Sequence, residues 1–433
     1  MSSTNDLKGN VASGLQDFTV GIIAHNGDFY DISNNITELS FYESIYRPYI
    51  HGDLAIIDNS MMLTDFPFIG QERAVISWRR DDQLLSRVFF ITKVSNVARQ
   101  LDGVGVYEMN LNSVVQTRNS INLFSQSYRG RSDEIITQVF DEHLGTTITP
   151  IDGTTGKTSH NVVFPFMKPL QAVDMIQKNV LADDDTPMFV YDTFYPNVIR
   201  LDSFARMYAR EPITTIESRK PVNRDKDGQV SREYLDDRGM VFDESISRAY
   251  DMYDSLNKGV FGSTVTITDS SIREYEKVEF DYKKHAPPLA KDWVSPEFVV
   301  EGDAPNAKVN TRNLYLHRNA LAYNDDYPNL NTIEDLDRSI LNSYVRRHAT
   351  TLVKVYMDSI AYTLENDEPF TVGQTVDYNI VKFMPQLSEG EEEKDLVNSG
   401  KYIVSAIRHF IKNYEYTMSV ELVRDGVGPR AEI

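Results

Sequence analysis

Near the end of the chain Tyr416, Met418, Val420 and Leu422 alternate with Thr417, Ser419 and Glu421. A period of two this regular predicts a half-buried antiparallel strand. A second strand, 401–409, carries Tyr402, Ile403, Val404 and Ile407, and a third runs from Pro369-Phe370-Thr371-Val372-Gly373-Gln374 towards Phe383. Between the last two lies a loop with Glu389, Glu391, Glu392 and Glu393.

A shorter copy of this arrangement stands some three hundred residues earlier. Pro67-Phe68-Ile69-Gly70-Gln71 leads into Ala74-Val75-Ile76-Ser77-Trp78, the charged loop Arg79-Arg80-Asp81-Asp82, and strands at 88–94 and 106–111. The same parts in the same order predict one supersecondary unit used twice. Its two charged loops differ in sign balance, so they are expected to meet different neighbours.

The remaining pattern fills in around the two copies. Residues 18–123 predict an all-β barrel or sandwich, with strands at 18–23, 36–45 and 52–58 before the first copy. From Ser132 the spacing turns helical through Ile135, Ile136, Val139, Phe140 and Leu144; a strand at 161–167, a helix at 169–180 and strands at 188–191 and 198–201 complete a small α+β domain. Segment 205–240 lacks periodicity and predicts an extended insertion. Strands at 260–268 and 275–282 are expected to open the second β-domain after a short helix near Asn257, and 285–331 is a Pro- and Asn-rich excursion. Thr332-Ile333-Glu334-Asp335 fits a capping box. Leu341, Val345, Ala349, Leu352, Val353, Tyr356, Ile360 and Leu364 then predict a long helix leading into Pro369.

The fold class expected is therefore mainly β with α+β insertions: two similar antiparallel β-barrel domains, a small α+β domain and a long helix before the second barrel. The domains fall at 14–125 and 126–204, with the second barrel built from 241–284 and 339–426 and the insertions at 205–240 and 285–338.

Composition narrows the function classes. Of 433 residues, 41% are apolar and 25% charged, which excludes wholesale disorder. No apolar run approaches the roughly twenty residues needed to cross a bilayer as a helix, and the polar start Met1-Ser2-Ser3-Thr4 is no signal peptide, so no membrane association is expected. The absence of cysteine removes disulfides, thiol nucleophiles and Cys-ligated zinc. A net charge of -20 disfavours passive binding to nucleic-acid phosphate.

Candidate chemistry is sparse. Asn223-Arg224-Asp225-Lys226-Asp227-Gly228-Gln229-Val230-Ser231 resembles a calcium loop, but Tyr234 stands where the bidentate glutamate belongs, so a solvated turn is favoured over weak metal binding around Asp225 and Asp227. Asp183-Asp184-Asp185 fits an acidic turn better than a cation site. The eight histidines form no HExxH pair, and His348 after Arg346-Arg347 fits a helix surface or subunit contact. No phosphate loop or nucleophile elbow is present, although 64 acids always offer carboxylate pairs of the glycosidase kind. No catalytic, cofactor or metal residues are assigned.

Four stretches nevertheless carry a resemblance: 36–78, Phe164-Pro165-Phe166-Met167-Lys168-Pro169-Leu170-Gln171-Ala172-Val173, Gly259-Val260-Phe261-Gly262-Ser263 through Tyr282, and Ser399-Gly400-Lys401-Tyr402-Ile403-Val404 to Asp425. Their order resembles the central baseplate hub protein of contractile-tailed bacteriophages, related to the base of the type VI secretion spike. The resemblance implies a catalytically silent structural protein of the virion tail, assembled in the host cytoplasm. It implies a homotrimer forming a pseudo-sixfold ring that joins a hexameric tail tube, or a tube-initiating ring, to a trimeric central spike. Tape measure and wedge proteins are further implied partners, and DNA passes through at genome ejection without being bound. An internal duplication is one way for a threefold oligomer to present six similar surfaces. The segments 205–240 and 285–331 have no counterpart in the resemblance, and the end of the chain just past the second barrel implies that a piercing tip is a separate protein. The alternative from another class is a β-rich cell-envelope hydrolase or carbohydrate-binding protein.

Overall fold

The computed structural model describes residues 16–59, 62, 68–80, 83–99, 104–156, 159–184, 186–218, 241–248, 253, 256–257, 262–270, 273–281, 312–318, 351–358, 370–381, 394–395, 398–413 and 415–424. Most of the secondary structure is strand. The chain opens with β1 (Gln16–Ile23), β2 (Phe29–Asp31), β3 (Ile36–Ser44), β4 (His51–Asp58), β5 (Arg73–Arg80), β6 (Gln83–Arg99) and β7 (Gly105–Asn112). An α+β unit follows: α1 (Val114–Ile121), β8 (Phe124–Arg131), α2 (Ser132–Val139) with a π-helical turn at Phe140–Leu144, β9 (Ile148–Pro150), β10 (Ser159–Met167), α3 (Pro169–Asn179), β11 (Met188–Asp192), β12 (Ile199–Ser203) and α4 (Phe204–Ala209). The last part holds β13 (Thr215–Glu217), β14 (Val241–Arg248), β15 (Gly262–Asp269), β16 (Glu274–Asp281), β17 (Arg312–Arg318), β18 (Thr351–Asp358), β19 (Thr375–Asn379), β20 (Gly400–Lys412) and β21 (Glu415–Arg424).

One large sheet dominates, in the order β14-β18-β21-β20-β3-β4-β7-β6-β5-β1-β2, with β19 also paired to β20 and β13 to β19. The order contains a repetition. β3-β4-β7-β6-β5 in the first half corresponds to β14-β18-β21-β20-β19 in the second, each set taken in the same chain sequence. The ladders agree over part of their length. Phe90 pairs with Asn112 and Arg73 as Ile403 pairs with Val423 and Thr375. The bulge between Ile91 and Lys93 recurs between Val404 and Ala406, and the one between Ile36 and Glu38 recurs between Val241 and Asp243. Bulges bend and twist a strand locally, so shared positions give the two halves the same local shape.

The Gly-Gln units mark the same bend in both halves. The Glu72 carboxylate accepts the backbone N–H groups of Ile69 and Gly70, at 2.8 and 2.9 Å, and the Gln374 side-chain oxygen accepts that of Thr371 at 3.0 Å. The Glu72 carbonyl accepts from Ile91 N–H as the Gln374 carbonyl does from Val404 N–H. The true counterpart of Gln374 is therefore Glu72, one residue past the matching glutamine.

Alternation decides which faces are buried. Leu39, Phe41, Leu54, Ile56, Met109, Leu111, Val355, Met357, Val420 and Leu422 lie in one continuous apolar core spanning both halves. A second core, built around Ile136, Phe140, Phe164, Val173 and Leu201, holds the α+β unit together.

Several expectations are corrected. Residues 351–358 form a strand, not part of a long helix: Val353, Val355 and Met357 are buried while Lys354 and Tyr356 are exposed. The stripe drawn through Leu352, Val353 and Tyr356 misread a β-branched run with period two, and full pairing to β14 and β21 stabilises the strand. The other helix positions, 332–350 and 359–364, lie outside the described residues, as do the acidic loop at 389–393 and Asp81 and Asp82. Segment 205–240 is not wholly loop-like, since it carries most of α4 and all of β13. β15 and β16 do not enter the large sheet; they form a separate sheet with β17, which lies within the supposed excursion. Finally, α1 interrupts the stretch expected to be all-β.

Candidate functional site

β20 belongs to both halves of the large sheet. Its residues 400–403 pair with β19, while 406–412 pair with β3 of the first half. Among the described residues β6 has no such second neighbour beyond its pairing with β5, and β14 at the far end pairs with β18 alone.

On the buried side of the β3–β20 joint, Glu43 Oε1 stands 2.6 Å from His409 Nε2, and the other carboxylate oxygen accepts the Thr371 hydroxyl at 2.7 Å. The Tyr416 hydroxyl is 2.7 Å from His409 Nδ1. Glu43 and His409 are both buried. Each occupies the apolar parity of its strand, in line with Leu39 and Phe41 or with Ile407 and Ile411. That parity is a signal the sequence contained, because an acid or imidazole on the inward face needs a partner.

On the opposite side the sheet presents a polar face with both signs of charge. One row across the strands runs Asp243, Tyr356, Ser419, Arg408, Tyr42, His51 and Asn112. Arg408 donates to the Ser40 hydroxyl and lies over the rings of Phe410 and Tyr42, which uses its planar cation and apolar stem together. Lys412 pairs with Glu38 across the joint, and Asn110 donates to Asp53 at 2.6 Å. An open cleft of about 790 Å³ follows this face and is lined by Tyr42, Arg47, His51, Lys354 and Tyr356 among others. Burial, aided by the neighbouring Arg47 guanidinium, pushes the His51 pKa down, with Asp53 opposing.

Two arginines tie the α+β unit to the sheet, one in each half. Arg87, inward-facing on β6 between Leu85 and Phe89, donates to Asp192 at 2.5 Å and to the Thr193 carbonyl at 2.8 Å. Burial pushes the Asp192 pKa up while Arg87 opposes it. The next residue but one, Phe194, packs on Phe41, Trp78 and His409. The second brace is Arg210, which donates to Asp152 at 3.0 Å and to the Gly373 carbonyl at 3.1 Å and pairs with Asp202 at 2.7 Å. Burial drives the Asp202 pKa up to about 6, with Arg210 and the Tyr191 hydroxyl working against it.

Two residues singled out from sequence, Asp183 and Asp184, are held by hydrogen bonds within the fold. Asp183 makes two 2.9 Å bonds with Arg206, and Asp184 accepts the hydroxyls of Thr186 and Ser203. These bonds fix the acidic turn to α4. Among the described residues no group of three His, Asp or Glu side chains is placed to hold a metal. Asp225, Asp227, Tyr234 and His348 lie outside the described residues. The Thr371 hydroxyl is held by the Glu43 carboxylate inside the core. The arrangement holds strands together and displays a polar surface.

No protein-family model matches the sequence. No curated protein matches it either. Solved structures do share the fold. A tail protein from Neisseria meningitidis MC58 superposes with a TM-score of 0.56 at 8% identity, covering 95% of this chain and 98% of that one. The 43 kDa tail protein of prophage MuSo2 from Shewanella oneidensis gives 0.54 at 8% identity, with 95% and 100% covered. A component of the E. coli type VI secretion system aligns more loosely, with a TM-score of 0.44 at 8% identity over 92% and 74%.

Proposed function

We propose that this chain is the structural hub of a phage tail baseplate, acting without catalysis. Three copies form a pseudo-sixfold ring that adapts a hexameric tail tube to a trimeric central spike. The polar sheet face is turned to the channel, and DNA passes along it at ejection. The tail tube or a tube-initiating ring and the spike are its direct partners, with tape measure and wedge proteins beyond them.

The observation that carries this reading is the repeated five-strand unit, whose halves share two bulges and are joined through β3 and β20. A subunit with two equivalent modules lets three chains offer six similar positions to a sixfold neighbour. The fold shared with two tail proteins points the same way. Both signs of charge along the polar face suit a surface that must not hold phosphate.

Size-exclusion chromatography with light scattering tests the reading. A trimer, at micromolar concentration or on mixing with a spike protein, is expected. A stable monomer under both conditions would remove the ring.

A further inference from the structure

The α+β unit carries a phenylalanine that its own folding does not account for. Phe166 is 73% exposed, and its φ of +40° lies in the left-handed region that favours glycine. It sits in the bulge of β10 between Phe164 and Met167. Bulges re-aim side chains, and this one turns a large apolar ring towards solvent. The backbone is strained there without any burial to offset the strain, which is the mark of a residue kept for contact with something else.

Three more apolar side chains stand around it. Phe166 and Leu123 are each one residue from the Phe124–Met167 rung, and the Leu170 N–H donates to Asn119 Oδ1 at 2.9 Å, drawing the end of α1 to the start of α3. Phe124, Tyr128 and Phe164 point inward and fill the second core. Leu123 and Val163 therefore point outward with Phe166, and they and Ile121 at the end of α1 are each more than half exposed. Grouped exposed apolar side chains mark a contact surface.

Charge selects what the surface fits. Residues 109–132 and 153–173, which supply β8, β10 and their flanks, contain no acid, although acids make up 64 of the 433 residues. They contribute Arg129, opposite Asn161 and one rung from the Val163–Ser127 pair, and Lys168, two residues beyond Phe166. Arg131, one rung further, is already balanced by Asp133 and Glu134 at 3.4 Å. An apolar row with a cation towards each end, on a chain of net charge -20, complements a partner that is apolar and acidic.

We infer that this face of the α+β unit docks an acidic segment of another protein, whose large apolar side chains cover Phe166, Val163, Leu123 and Ile121 while its carboxylates meet Arg129 and Lys168. The surface lies on one chain and does not depend on the ring proposed above.

The probe is a library of random linear peptides, selected on the immobilised full chain and counter-selected on Phe166→Gly. Glycine relieves the left-handed strain and removes the ring, so this variant is expected to melt no lower than the wild type while losing the contact. Selected peptides are expected to combine Asp or Glu with Phe, Leu or Ile, to bind more weakly as salt is raised, and to lose affinity about tenfold or more on Phe166→Gly and on Lys168→Glu. Peptides that are basic or uncharged, peptides that bind Phe166→Gly as well as the wild type, or a selection that recovers none would overturn the inference. A Phe166→Gly chain that melts well below the wild type would show that the ring stabilises the fold, and would overturn it too. Cosedimentation with phosphatidylserine vesicles that is lost in Phe166→Gly would assign the surface to a membrane instead of an acidic protein.

Discussion

Glu43 and His409 meet 2.6 Å apart although 366 residues separate them, and both are buried at the joint between the halves of the sheet. Truncating one member strands the other in the core, which costs about 3 kcal/mol. Glu43→Ala is therefore expected to lower the unfolding free energy by roughly that amount in urea denaturation. Replacing both, as Glu43→Leu with His409→Phe, is expected to cost less than the two single changes combined, since no lone polar group remains. Additive losses would show that the two side chains do not act as a pair.

Asp202 gives a pH dependence with a defined sign. Burial raises its folded pKa to about 6, so the folded state holds a proton that the unfolded chain has released. Its contribution to stability is full below the ordinary aspartate range and is lost as pH rises through about 6. Asp31, Glu72 and Asp183 have lowered values and act in the opposite sense, losing their contribution as pH falls. The melting temperature of the wild type minus that of Asp202→Asn is expected to fall between about pH 4 and pH 7. A flat difference would place the Asp202 proton equilibrium outside that window.

Gly373 has φ of +81° and sits under the Tyr191 ring, whose hydroxyl stands where an added methyl would go. Gly373→Ala therefore meets both a left-handed backbone, worth about 1–2 kcal/mol, and a steric clash. Adding Tyr191→Phe is expected to recover part of the loss while the backbone share remains. Equal melting temperatures for Gly373→Ala and the wild type would contradict the geometry.

A channel lining should leave DNA free. Each chain carries a net charge of -20, so the three chains of the proposed ring would carry about -60, three times that value. Filter binding with double-stranded DNA at low ionic strength is expected to show no retention. Salt-sensitive retention would mean that lysines and arginines of the polar face act together on phosphate.

Much of the fold was legible in the sequence because most strands alternate cleanly and the Gly-Gln bends recur with them. The α+β unit was readable for the same reason, since Ile135, Ile136, Val139 and Phe140 keep helical spacing. β18 was not, because Leu352, Val353 and Tyr356 satisfy a helical stripe as well as a strand, and only pairing on both sides resolves the two. The braces were less visible still. Arg87, Asp192, Arg210 and Asp202 find their partners across distances in the chain that no local pattern encodes. The inward parity of Glu43, Arg87 and His409 was the one clue available.

The thirteen-residue β20 has a mechanical meaning as well. Seven of its residues, 406–412, face β3 in an unbroken ladder. A pull directed along the strand loads those rungs in parallel, so they must rupture together. A pull across it loads them one at a time, as in a zipper. The two halves are thus rigid against sliding past one another and compliant against being peeled apart, and the Glu43–His409 pair lies within the length that a peeling crack has to traverse.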